Sequence, residues 1–357
     1  MNNKKSILLI GPFPKPVTGL SLANEILYKG LKNYNKVDCI NMSYHRFEEV
    51  LGKFNFDKML FFIKLNLKAF KIYNYDSIYI TIGQSFFGVL KYAIFFLVAR
   101  IFNKKITVHL HGNQLRKMYE KQSFFKKKLV KGILQLSNYG IVLSSSLKPN
   151  LEFFLNEDNI FIVENFVENN LFLSPLENKS KDYSVLKIAY ISNLMTEKGV
   201  FYLLDSLVSL NKKGLLFEAK FAGNIDKSIE TKVMSYFKEN NNIEYLGVVR
   251  GNKKKELLIW SNTFVFPSYL IEGLPISILE AIITKNEVIA TKHPALIDFF
   301  KEDGLCFIKE KSTDEIAYFL NEMSSNFNQK RIEKNYNLIK DCTEEKFVSK
   351  IEKILNL

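Results

Sequence analysis

The sequence predicts an α/β protein built from two doubly wound domains facing across a cleft, each a parallel sheet covered by helices. Three observations carry that reading. Strand and helix signals alternate along the whole chain. The strand stretches are continuous apolar, β-branched runs, the pattern of strands buried on both faces. At 357 residues the chain exceeds a typical single core and suits two of ordinary size.

In the first half the predicted strands are 6–11, 37–42, 77–82, 106–112, 139–144 and 159–164. Helical stretches fall near 20–33, 47–73, 85–102, 116–136 and 146–155. Composition turns polar and irregular over 165–186, the best linker candidate. A second alternating series follows, with strands at 186–192, 217–223, 243–249, 263–267, 287–291 and 305–308. The tail, roughly 330–357, reads as charged helix. The domains are accordingly 1–167 and 168–335, both Rossmann-like, with a closing helix in 336–357 that returns to the N-terminal domain.

Composition excludes several classes. With 47% hydrophobic and 24% charged residues the chain is globular, not disordered. Its three cysteines, Cys39, Cys306 and Cys342, form no C-x-x-C pair, which fits a reducing compartment and argues against a disulfide or zinc framework. The first ten residues lack the apolar core of a signal peptide. The most apolar run, 92–99, is eight residues long, far short of the roughly 20 that span a bilayer. Net charge is +13, of which residues 1–170 hold +12 and 171–357 hold +1. One basic domain therefore faces an anionic partner.

Chemistry concentrates in 263–285. A buried strand ending at Pro267 leads through a short loop into a helix opened by Pro275, a residue suited to a first helical turn. Gly273 lets the backbone approach a ligand. The amides and dipole of a helix start attract an anion, most often phosphate. Glu272 and Glu280 frame that start. Glutamates eight apart also occur at 302/310 and 344/352, so spacing alone is weak. Only the first pair follows an apolar strand and encloses Gly-Leu-Pro. An extended ligand with a central diphosphate and a sugar at either end would suit that frame. This stretch, Glu272-Gly-Leu-Pro-Ile-Ser-Ile-Leu-Glu280-Ala, resembles the Glu-x7-Glu motif of family-four retaining glycosyltransferases, which have the GT-B fold. In that family the first Glu touches the donor sugar and the second holds the ribose.

Other constellations extend the resemblance. In Ile188–Gly199 a strand ends in a loop with Lys198 beside Gly199, well placed to neutralise a departing diphosphate. The family has an Arg and a Lys here; Lys198 matches the Lys, while Asn193 stands in the Arg position and Ser192 in that of the usual Gly. The loop Gly11–Gly19 has too few glycines for a dinucleotide fingerprint, yet its Thr18-Gly19 ending fits the family's first loop as well as it fits ordinary turn chemistry. His109 and His111 share one face of a strand; His111, before Gly112, matches a family histidine near the reacting carbon, and His109 reads as a core residue. The run Leu246–Gly251 resembles the family's base-binding turn. Thr291 and Asp298 are kept from a later donor motif that here lacks its paired glycines.

The resemblance implies a catalytic set of Glu272, Lys198 and His111, with Glu280, Gly273, Leu274, Ser277, Asn193, Gly19, Gly247 and Val248 touching the donor. It implies a nucleotide-sugar donor, UDP being the expected carrier, and a basic N-terminal domain that binds a saccharide or lipid-linked acceptor in bacterial surface polysaccharide biosynthesis. The chain has no Asp-x-Asp, so no metal and no cofactor is expected beyond the donor. Residues 116–134 carry seven Lys/Arg and one Glu beside Phe124 and Phe125, a basic, aromatic helix suited to an anionic membrane surface. No nucleic-acid motif accompanies the charge. The expected location is cytoplasmic, peripheral at the inner face of the membrane. A sugar-nucleotide epimerase of the same fold and a non-catalytic membrane adaptor are the rival readings.

Overall fold

The computed structural model describes residues 5–15, 17–44, 56–179 and 181–357. The chain divides into two compact units: residues 1–165 with 272–274 and 344–357, and residues 166–271 with 275–343. Each holds one six-stranded parallel sheet.

In the first unit the strands are β1 (Ser6–Gly11), β2 (Lys36–Asn41), β3 (Ser77–Thr81), β4 (Lys105–Leu110), β5 (Tyr139–Val142) and β6 (Ile160–Ile162), in the order β2-β1-β3-β4-β5-β6. Ile7 lies opposite Val37 on one side and Ser77 on the other. Ile7 to Ile10, Ile78, Ile80, Ile106 and Val108 are almost wholly buried, as strands covered on both faces require. The sense in which successive strands are added reverses at β1, so β1 and β3 flank a topological switch point. The β1–β2 connection, helix Gly19–Lys32, packs against the last helix, Glu344–Leu355. The crossovers into β3, β4 and β5 all step the other way, and right-handed crossovers then place their helices on the opposite face.

The second unit holds β7 (Leu186–Ile191), β8 (Phe217–Ala222), β9 (Ile243–Tyr245), β10 (Thr263–Phe266), β11 (Glu287–Thr291) and β12 (Cys306–Ile308), ordered β12-β11-β10-β7-β8-β9. This is the order of the dinucleotide-binding doubly wound sheet, with its switch point between β7 and β10. Ile188, Tyr190, Val265 and Ile289 join Leu203 and Leu207 of helix Val200–Lys212 in one core.

Several helices are shorter than the sequence suggests. The stretch expected over 47–73 is helix Phe56–Asn66 followed by a 3-10 turn, Leu67–Asn74; its first residues, 47–55, lie outside the described residues. The stretch 85–102 breaks at Lys91–Tyr92. The basic stretch 116–134 is not one helix but two, Leu115–Glu120 and Phe124–Leu134, because Ser123 turns extended (φ −64°, ψ 160°) and opens the second. The tail is likewise two helices, Gln329–Ile339 and Glu344–Leu355. The polar stretch 165–186 is anchored instead of loose: Phe166, Val167 and Leu171 are buried, and Lys181 Nζ donates to the Leu258 carbonyl at 2.8 Å.

Candidate functional site

Loops at the carboxyl ends of strands beside a switch point form the usual ligand crevice of an open α/β sheet. In the second unit those loops follow β7 and β10, and they carry Asn193, Lys198 and the start of helix Ile276–Ile283. The Tyr190 hydroxyl, at the end of β7, donates to the carbonyls of Asn193 (3.1 Å) and Lys198 (3.4 Å), pinning both ends of the loop. Gly199 has φ +73°, and a Cβ there would lie 2.1 Å from the Pro267 carbonyl oxygen. Only glycine permits that approach. The Tyr269 N–H donates to the Glu197 carbonyl at 3.0 Å, joining the two loops directly. Lys198 Nζ stands 5.5 Å from the ring centre of Phe266, the last residue of β10, so its charge rests at the switch point.

On the other side of the β7 loop, Gly223 (φ +144°) lies so close that a Cβ would meet the Ser192 carbonyl oxygen at 1.9 Å. Its N–H donates to the Gly247 carbonyl at 2.9 Å, and its carbonyl accepts from the Tyr245 hydroxyl at 2.8 Å. The turn holding Gly247 and Val248 is thereby tied to the loop holding Asn193. β9 stops at Tyr245, well short of the expected Val249, because Gly247 turns left-handed (φ +70°).

Pro275 is the cap of helix Ile276–Ile283 and not its first residue, with φ −65° and ψ 125°. Proline's fixed φ serves there equally well, and the helix's first amides still open toward the loop. Ser277 is partly exposed in that first turn, while the rest of the helix is buried. Glu280 is buried with it, 3% exposed. Its Oε1 accepts from Lys254 Nζ at 2.7 Å, and the same ammonium contacts Glu168. Burial pushes the Glu280 carboxyl up to about 7, against the pull of Lys254.

Lys254 and Glu168 were not singled out by the sequence reading. One signal was present. Asn252-Lys-Lys-Lys255 puts three cations in the first turn of helix Asn252–Trp260, where the helix dipole disfavours them. Such a local conflict often marks a residue held for another purpose.

The first unit gathers the remaining candidates. Gly112 and Glu272 form an antiparallel bridge, and a Cβ on Gly273 would meet the His111 carbonyl oxygen at 2.3 Å. The Leu274 carbonyl accepts from Asn165 Nδ2 at 2.5 Å. His111, Glu272, Gly273 and Leu274 are therefore neighbours. His109 accepts or donates at Nδ1 with the Tyr79 hydroxyl, 2.5 Å away, and lies against His111 with ring centres 4.0 Å apart and planes tilted by 37°. The Nε2 atoms of both are buried without a partner. Burial holds the His111 imidazole down to about 3 and, together with the neighbouring His111, holds His109 well below its usual range. His111 is thus a neutral hydrogen-bonding group at neutral pH. Gly19 begins the helix after β1, next to Thr18, whose hydroxyl accepts from the Ser21 N–H at 3.1 Å. It lies at the β1/β3 switch point, apart from the His111 group in sequence and element. Among the described residues no cluster of three or more His, Cys, Asp or Glu is placed to hold a metal ion.

Comparison with known proteins agrees with this geometry. Residues 177–340 match the family described as glycosyl transferases group 1. The chain is 25% identical over 300 residues to an uncharacterized glycosyltransferase of Methanocaldococcus jannaschii, covering 79% of this chain and 75% of that one. Among solved structures it is similar to a glycosyltransferase of Rickettsia africae, with a TM-score of 0.76, 18% identity, and coverage of 99% and 98% of the two chains. It is also similar to Anabaena HepE in complex with UDP and glucose, with a TM-score of 0.73, 16% identity and 99% of each chain covered. These likenesses show the GT-B fold, and the group 1 glycosyl transferase match lies within the second unit, at 177–340.

Proposed function

We propose that this protein is a retaining, metal-independent glycosyltransferase that moves a sugar from a nucleoside diphosphate, UDP by expectation, to a hydroxyl of a saccharide or lipid-linked acceptor in bacterial surface polysaccharide biosynthesis. The observation that carries the reading is the junction of the β7 and β10 loops, where Gly199 packs on Pro267 and delivers Lys198 to the carboxyl ends of the two central strands. A diphosphate there meets an ammonium and the amides of the helix after Pro275. Both stabilise charge that grows as the sugar leaves, which is where catalysis gains most. Glu280 then takes the ribose, Glu272 the donor sugar, and the Gly247–Val248 turn the base, while neutral His111 serves as a hydrogen-bond partner near the reacting carbon. Ser277 and Asn193 complete the diphosphate surroundings. The solved structure of HepE, similar in fold, is a complex with UDP and glucose, which favours UDP here. The named relatives are transferases, which leaves the epimerase reading without support.

The acceptor reading rests on the first unit. Helices Phe56–Asn66, Ala93–Ile101 and Phe124–Leu134 and the turn Leu67–Asn74 pack on one another on one face of the sheet. Their outer surface exposes Leu67, Phe70, Tyr73, Ile94, Leu97, Ile101, Phe124 and Phe125 among Lys64, Lys68, Lys71, Arg100 and Lys126 to Lys128. Apolar side chains ringed by cations suit the headgroup layer of an anionic membrane. No helix among the described residues is long and apolar enough to cross a membrane. We place the protein at the cytoplasmic face of the membrane, against a lipid-linked acceptor.

Thermal shift against UDP, GDP, ADP and CMP tests the donor. A nucleotide at 100 times its dissociation constant adds about 2.7 kcal/mol, and UDP is expected to give the largest shift. Glu272→Gln is expected to abolish sugar transfer and keep the UDP shift. Indifference of the melting curve to all four nucleotides would end the reading.

A further inference from the structure

Glu280 is the only charged residue on helix Ile-Ser-Ile-Leu-Glu-Ala-Ile-Ile, whose other residues apart from Ser277 are apolar, and it is buried. An isolated carboxylate there would be costly, so it must be paired. The pairing is incomplete. Lys254 Nζ serves two carboxylates, Glu280 at 2.7 Å and Glu168, with its own side chain 11% exposed. With both carboxyls ionised, as above about pH 7, two acids and one base leave the cluster one negative charge in excess, and Glu168 adds to the burial that raises Glu280. Lys254 engages Oε1 of Glu280, and a carboxylate can accept several further hydrogen bonds. Vicinal hydroxyls supply the neutral donors that such a cluster lacks.

We propose that Lys254 is a positioning residue for the donor nucleotide: its ammonium fixes one oxygen of Glu280 and orients the carboxylate to accept from the ribose diol, with Glu168 as the second arm that holds the lysine in place. This rests on the donor reading above. The charged groups acting on Glu280 among the described residues are Lys254, from helix Asn252–Trp260, and Glu168, from the segment before the turn Asn169–Leu171. Removing Lys254 leaves two facing carboxylates, of which Glu280, the deeper, takes up a proton and loses the charge that makes it a strong acceptor for the diol.

The test is the affinity ratio for UDP over 2′,3′-dideoxy-UDP, measured by calorimetry from pH 6 to pH 9 on the full chain. Wild type is expected to favour UDP at least tenfold at pH 8. Lys254→Met is expected to bring the ratio close to one at pH 7 and to recover it only toward pH 9, whereas Lys254→Arg retains most of it. Glu168→Gln, which relieves the excess charge, is expected to keep the preference and move its midpoint to lower pH. A merely structural ion pair would lower the melting temperature of Lys254→Met and leave the ratio and its pH midpoint unchanged; that result overturns the proposal. If Lys254→Met does not fold, an unmoved midpoint in Glu168→Gln overturns it instead. A wild type that binds UDP without preferring the diol also overturns it and spares the donor reading, whereas a wild type that binds neither nucleotide removes both.

Discussion

His109 and His111 lie ring against ring in the first unit as two neutral imidazoles, both held below their usual range by burial. The unfolded chain takes up protons on them near pH 6.5, while the folded chain does not until far lower, about 3 for His111. Between those limits the unfolded state binds more protons, so stability rises with pH and is lost on acidification. We expect urea midpoints to fall from pH 7 to pH 5. Replacing His111 with Gln should reduce that slope by about 1 kcal/mol per pH unit, and an unchanged slope would refute the assignment. Glu280 has the opposite sign. Its carboxyl is raised by burial to about 7, so the folded form holds a proton that the unfolded form releases from about pH 4.5, and this residue costs stability as pH rises through that window. His111, Glu272 and Glu280 were visible in the sequence as motif residues, and His109 as a core residue. Their protonation was not, because desolvation depends on what packs around a side chain and not on its neighbours in the chain.

At the scale of elements, the strands were legible wherever apolar runs were long, as at β1, β4, β10 and β11. Helix ends were not. The 116–134 stretch keeps its charge pattern through the turn at Ser123, so nothing in its periodicity announces the break. Loop geometry was the least legible of all: Gly199 and Gly223 look like ordinary turn glycines, yet each faces a carbonyl oxygen at a distance no Cβ tolerates. Gly199→Ala combines that contact with a left-handed φ and should destabilise the protein by about 1–3 kcal/mol. Because the loop also carries Lys198, transfer should fall by more than the loss of folded protein explains. Chemical denaturation alongside initial rates measures both, and a variant as stable and as active as wild type would show that the two loops do not depend on this contact.

Across the molecule, charge and exposed apolar surface coincide in the first unit, where residues 1–170 hold nearly all the net charge. Helix Ala93–Ile101 is apolar except for Arg100 in its last turn, burying Phe95, Phe96 and Ala99 while Ile94, Leu97 and Ile101 are exposed; apolar residues on the outer as well as the inner side of a helix suit a nonaqueous neighbour. We expect co-sedimentation with phosphatidylglycerol vesicles and not with phosphatidylcholine vesicles, weakened by 0.5 M salt. Leu97→Glu with Phe125→Glu should reduce it by more than tenfold, and equal binding to neutral vesicles would count against the charged part of the surface. By itself the sequence determined the alternation of strand and helix, the charge asymmetry and the Glu-x7-Glu frame, since periodicity, composition and spacing are properties of the chain. Tertiary structure decided which strands flank a switch point and how closely the loops beside them approach. It also decided that Glu280 shares Lys254 with Glu168. Those three residues are remote in sequence, and only packing in a medium that solvates charge poorly forces one ammonium to serve two acids.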